Sequence, residues 1–265
     1  MKRILFLASL ALTVFVAPAQ DWAKARLEKS PRHGEWVTVK HGDREVKCFV
    51  IYPEVKEKAT AVVVIHEIFG LSDWVRGVTD QLAEAGYIAI APDLLSGVGP
   101  NGGGSEALGG ADGVRKVIGN LPPAQITADL DAVADYVAKL PACNGKVAVG
   151  GFCWGGGPTL RFATNNKGIK AAFAFYGTGP DKAEDIARIS APVYGFYGGN
   201  DNRVNATIPT SIELMKQAGK TYEPTTYEGA GHGFMRAGEA PDASDANKKA
   251  REQAWKRVKE ILAKL

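Results

Sequence analysis

Apolar residues along this chain fall into short unbroken runs, and between the runs they return at helical spacing. Residues 61–65 read Ala-Val-Val-Val-Ile, a β-branched run suited to a central strand covered on both faces. Further strands are predicted at 87–91, 146–150, 171–176, 192–197 and 221–227. Helical periodicity predicts helices over 74–85, 126–140, 156–164, 206–217 and 243–265, with a short one at 183–187. Gly86 follows the first of these, where a helix C-terminus favours glycine. Upstream, 35–41 and 44–52 read as two strands joined by the tight turn His41-Gly42-Asp43, behind a weakly helical polar extension at 21–31. Strands alternating with helices predict an α/β fold: one domain over residues 20–265, with a mostly parallel sheet and helices on both faces.

One segment breaks the pattern. Glycines 97, 99, 102, 103, 104, 109, 110 and 113 crowd residues 94–123, together with Pro100, Pro122 and Pro123. A loop this long inside a compact domain is commonly functional, so a flap over a site is expected, with a short helical turn at 114–118.

The N-terminus changes the picture of where the protein works. Met1-Lys2-Arg3 supplies a positive start, residues 4–16 an uncharged apolar run, and Ala17-Pro18-Ala19 a small-x-small site. The expectation is a signal peptide over 1–19, a mature chain from Gln20, and a periplasmic or secreted location. The apolar run falls short of the roughly 20 residues that a spanning helix needs. With Lys2 and Arg3 removed, the 32 basic residues nearly balance the 29 acidic ones, leaving about +1. Such a balance excludes an electrostatic case for nucleic acid or for an anionic membrane surface.

Export places three cysteines where disulfides can form, and an odd number leaves at least one unpaired. Cys48 and Cys143 read as small buried hydrophobes, with a disulfide between them left open.

Cys153 reads differently. Gly151-Phe152-Cys153-Trp154-Gly155 follows a predicted strand and opens a predicted helix, which is the nucleophile-elbow pattern of α/β-hydrolases with sulfur in place of oxygen. The turn is so tight that flanking side chains would clash, hence the glycines. A thiol nucleophile needs a base, and the base an orienting acid. In this fold they follow in the order acid, then histidine, on loops after later strands. Asp201, just past 192–197, and His232, just past 221–227, meet that order. Of the other histidines, His33 and His41 fall at polar turns and read as solvated, and His66 ends the central strand near the site but ahead of the elbow. An oxyanion hole would use the backbone N–H of Trp154 and, from the loop after 61–65, that of Ile68.

His66-Glu67-Ile68-Phe69-Gly70, Ala91-Pro92-Asp93-Leu94, Gly151-Phe152-Cys153-Trp154-Gly155-Gly156 and Gly231-His232-Gly233-Phe234 together resemble the dienelactone hydrolase family, across residues 35–265. The resemblance implies an α/β-hydrolase fold and cleavage of an ester or lactone by a Cys-His-Asp triad, of the carboxymethylenebutenolidase type. It implies that Glu67 touches the resting thiol and accepts its proton, and that Arg236 binds an acidic substrate. The family's second arginine has no counterpart in 95–100, and Arg115 stands too far along to align. One arginine fixes a carboxylate less firmly than two, so a different ester or lactone, met outside the cytoplasm, is expected.

No cofactor and no metal are expected, since His66-Glu67 lacks a second histidine at helical spacing. The partners expected are a small-molecule ester or lactone, with no nucleic acid, no membrane after cleavage, and a monomeric chain. A broad carboxylesterase or acyltransferase on the same triad is the alternative, distinguished by pocket walls. A non-catalytic binding protein would have no need of all three of Cys153, Asp201 and His232.

Overall fold

The β-branched run becomes the middle of an eight-stranded sheet. The computed structural model describes residues 21–265, so the expected signal peptide lies outside the described residues. The strands are β1 (Gly34–His41), β2 (Arg44–Ile51), β3 (Ala59–Ile65), β4 (Ile88–Pro92), β5 (Cys143–Phe152), β6 (Ala172–Phe175), β7 (Val193–Gly198) and β8 (Tyr222–Tyr227). They lie in the order β1-β2-β4-β3-β5-β6-β7-β8. Only the β1–β2 and β2–β4 pairs are antiparallel, and every pair from β4 to β8 is parallel.

All of β3 is buried. Ala61, Val63 and Ile65 pack on one face with Leu130 and Val133 of α4 (Pro123–Ala138) and Phe162 of α5 (Gly156–Asn165). Val62 and Val64 pack on the other, with Trp74, Val78 and Leu82 of α2 (Asp73–Glu84) and Ala254 and Val258 of the closing helix Asp245–Leu262. Each buried valine contributes about 1.5–3 kcal/mol, which is why the run could not be left on a surface. Cys48 and Cys143 are free thiols buried in the first of these clusters, as the small-hydrophobe reading has it.

Four expectations change. The first concerns the glycine-rich segment, where the short turn expected at 114–118 is a longer helix docked on the core. Turns at Pro100–Gly102 and Ser105–Leu108 lead into α3 (Ala111–Ile118), which buries Val114 and Ile118 in the core. Ser105 pins it: its hydroxyl donates to Asp93 Oδ1 at 2.6 Å and accepts the Leu71 N–H at 3.0 Å. The helix expected at 206–217 is instead two, Asn202–Asn205 and Ile208–Gln217, with Pro209 in the first turn of the second, where it needs no backbone N–H. The strand before the elbow is longer than 146–150 and carries Gly151 and Phe152 to the very edge of the turn. His41, expected to be solvated, instead meets the buried Asp129 carboxylate at 2.6 Å beside Arg44.

The N-terminal helix α1 (Asp21–Glu28) lies against α2. Just beyond it, Arg32 Nε and Nη2 each donate to Asp80 at 2.7 Å, and Asp80 is only 1% exposed. A buried carboxylate needs such a partner, so the extension is fastened to the domain by charge as well as by packing.

Candidate active site

Strand β5 ends at Phe152, residues Cys153–Gly155 form one tight turn, and α5 begins at Gly156. Cys153 takes φ +55, a left-handed conformation that an L side chain adopts only under constraint. Neighbouring backbone imposes it. A Cβ at Gly151 would collide with the Gly155 carbonyl and the Thr159 hydroxyl, and one at Gly155 would stand 2.5 Å from the His66 carbonyl oxygen. The sulfur thus projects from the carboxyl edge of the sheet, at the positive end of α5.

Gly155→Ala is therefore expected to destabilise the protein by about 1–3 kcal/mol in chemical denaturation. It should also cost activity in the folded fraction, because the clash drives the elbow away from the loop after β3.

His232 lies in the turn after β8, and Gly233 beside it takes φ +73. Its Nε2 stands 3.1 Å from Cys153 Sγ and its Nδ1 2.5 Å from Asp201 Oδ2. An ionised carboxylate only accepts, so Nδ1 carries the proton and Nε2 faces the sulfur. Asp201 caps the helix Asn202–Asn205, where its other oxygen accepts the Val204 N–H at 3.3 Å. With both oxygens engaged and 7% exposure, Asp201 is held in place. The hydrogen bond to the Cys153 sulfur, and after it the Asp201 carboxylate, outweigh burial and raise the His232 pKa from 6.5 to about 9. The edge-to-face ring of Tyr176, 5.1 Å away, flanks the imidazole. The His232 side chain keeps 35% of its surface exposed.

Glu67 lies next to this group, 1% exposed. Its Oε2 accepts from Arg236 Nε at 2.8 Å, and among the described residues no hydrogen bond joins it to Cys153. The contact with the thiol that the resemblance implies is thus absent from this geometry, in which the sulfur faces His232. Burial pushes the Glu67 carboxyl up and Arg236 draws it back down. The Arg236 guanidinium also lies over Phe69, 5.1 Å from the ring centroid.

Arg115 occupies the same neighbourhood, its guanidinium 4.8 Å from the Phe69 centroid. Sequence reasoning set it aside because it lies far down the glycine-rich segment. Only the docking of α3 brings it back to the loop after β3. Its basic character, shared within 94–123 by Lys116 alone, is the one signal the sequence offers.

The backbone N–H of Ile68 takes no acceptor among the described residues, as an oxyanion donor should not. Among the described residues no three His, Cys, Asp or Glu side chains converge to hold a metal ion.

Known proteins share this arrangement of elements. The model of the dienelactone hydrolase family matches residues 46–265. A Salmonella typhimurium protein provisionally named carboxymethylenebutenolidase is 31% identical over 230 residues, 83% of this chain and 83% of its own. A Saccharolobus solfataricus protein with the same provisional name is 29% identical over 256 residues, covering 83% of this chain and 95% of its own. The crystal structure of a Klebsiella pneumoniae protein, provisionally called a dienelactone hydrolase, superposes with a TM-score of 0.76 at 26% identity, over 88% of this chain and 99% of that one. The chain therefore belongs to the dienelactone hydrolase family of α/β-hydrolases.

Proposed function

We propose that the protein is an exported hydrolase that cleaves a small ester or lactone through Cys153, His232 and Asp201. The observation that carries this reading is His232, which bridges the Cys153 sulfur at 3.1 Å and the Asp201 carboxylate at 2.5 Å. In the first half-reaction His232 Nε2 holds the proton of the Cys153 thiol, the thiolate sulfur bonds to the carbonyl carbon, and the carbonyl electron pair moves to oxygen, held by the Ile68 and Trp154 N–H groups. The carbonyl reforms as the C–O bond breaks, and His232 passes its proton to the departing oxygen. Water then attacks the thioester while His232 takes a proton from it, and the thiolate leaves as the acid is released.

Arg236 and Arg115 each lie over Phe69, and the guanidinium nitrogens that Glu67 and Asp112 leave free favour a substrate that carries a carboxylate. The provisional name of the relatives, carboxymethylenebutenolidase, supports a lactone. Export rests on the N-terminal leader and is tested by sequencing the N-terminus of protein recovered outside the cytoplasm, expected at Gln20.

The test of the activity is a panel of acidic and neutral lactones and short esters, run with and without iodoacetamide. Hydrolysis that the thiol reagent stops, and a preference for acidic members that Arg115→Leu reduces about three- to tenfold, are expected. Hydrolysis indifferent to the reagent would remove Cys153 from the reaction.

The His232 pKa gives a sign to the pH dependence. Its proton is needed by the leaving oxygen and is lost as pH rises through about 9. The profile of kcat/KM should accordingly fall on the alkaline side with a midpoint near 9. A profile still rising there would contradict the assignment.

A further inference from the structure

One group beside the nucleophile has no role in the chemistry above. His66 follows β3 directly and is completely buried. Its Nδ1 lies 2.9 Å from the Glu67 carbonyl oxygen. A carbonyl only accepts, so Nδ1 carries the proton and Nε2 is a bare acceptor. That Nε2 is buried without a partner among the described residues. Burial pushes the His66 pKa down, against the opposing pull of Asp93. An apolar side chain would avoid the orphaned nitrogen, so the donor at Nδ1 is the property this position keeps.

The consequence follows from the planarity of the peptide. In a trans peptide the C=O and N–H of one plane point in opposite directions. The plane that bears the Glu67 carbonyl bears the Ile68 N–H, the donor assigned to the oxyanion. Gly70 N–H also donates to the Glu67 carbonyl, at 3.1 Å. Two donors on one oxygen resist rotation of that plane, and the Ile68 N–H is turned away from them with no acceptor of its own among the described residues. The other assigned donor is the N–H of Trp154, and His66 reaches that residue too. Its ring stacks on the indole with centroids 5.4 Å apart and planes inclined by 10°.

We propose that His66 is the positioning residue of the oxyanion hole: its Nδ1–H sets the Glu67–Ile68 peptide plane, and its ring face sets Trp154. The proposal rests on the reading of Cys153 as an acyl-transfer nucleophile. His66 touches neither substrate nor sulfur, and acts through the two residues whose N–H groups do.

The test compares His66→Leu, which fills space but cannot donate, with His66→Asn, whose amide nitrogen falls where Nδ1 does. Two rates are read on each: hydrolysis of an activated aryl ester, and alkylation of Cys153 by iodoacetamide. Alkylation needs the sulfur but develops no oxyanion. His66→Leu should lower kcat about 10²–10³-fold with KM changed less than about threefold, and leave alkylation within about twofold. His66→Asn should recover at least about tenfold of the lost kcat. A folded leucine variant with wild-type kcat, or one in which hydrolysis and alkylation fall together, overturns the proposal. Should the leucine variant not fold, the asparagine variant decides. There, kcat within about tenfold of wild type supports the donor's role, and a loss beyond about a thousandfold at unchanged alkylation overturns it. Failure of the underlying reading looks different, because Cys153→Ala would then retain turnover.

Discussion

Cys153→Ala is expected to lower ester or lactone hydrolysis by at least about 10⁴-fold while the protein stays folded. The chemistry is lost because no bond to the carbonyl carbon can form, and nothing else in the site offers a nucleophile on the line from His232. The fold is kept because the constraint at φ +55 comes from the backbone packed around Gly151 and Gly155, which alanine leaves in place. The His232 pKa supplies a second readout. Its rise to about 9 owes most to the sulfur, so the variant should show His232 titrating at lower pH by NMR. Turnover retained at the wild-type level, or a His232 that titrates unchanged, would separate Cys153 from the reaction.

The second large effect is at Asp201. Asp201→Asn should reduce kcat by about 10⁴-fold, the scale on which a triad loses when its histidine takes the wrong tautomer. The reason is local. The asparagine can place an N–H where Oδ2 now accepts, so Nδ1 of His232 becomes the acceptor and Nε2 is left carrying a proton toward the sulfur. Its carbonyl can still accept from Val204 N–H, so the helix cap and the fold should survive. Circular dichroism matching wild type, together with an alkaline limb of kcat/KM moved below 9, is the expected pair of results. A variant within tenfold of wild-type kcat would show that His232 needs no orienting carboxylate.

The contrast between these residues and Glu67 shows which relations a sequence can carry. Cys153, Asp201 and His232 could be named because each occupies a slot defined by chain order: the turn after one strand, then the loops after two later ones. Parallel strands deliver those slots to one edge of the sheet whatever the details. Glu67 is placed at the site by the family resemblance alone, and that resemblance does not give the partner it has here. Which group it faces is set by side-chain packing inside a buried space, and here it faces Arg236 at 2.8 Å.

The glycine-rich segment teaches the same lesson in reverse. Its composition breaks the alternation of strands and helices, because glycine favours no conformation strongly. Tertiary packing fixes it, with Val114 and Ile118 in the core and Ser105 tied to Asp93. That docking carries Arg115 to Phe69, 46 positions away in the chain and invisible to motif or periodicity.

By itself, then, the pattern of residues determined the α/β layering, the tight turn at Cys153 and the order of its partners. Unbroken apolar runs must be buried on both faces, and only glycine tolerates the close approach at that turn. Tertiary structure alone decided the inserted position of β4 between β2 and β3, the ion pair of Glu67 with Arg236, the second arginine at Phe69 and the hold of His66 on the Glu67 carbonyl. Each of these depends on which atoms meet across the fold, and such meetings are set by packing rather than by any local preference of the chain.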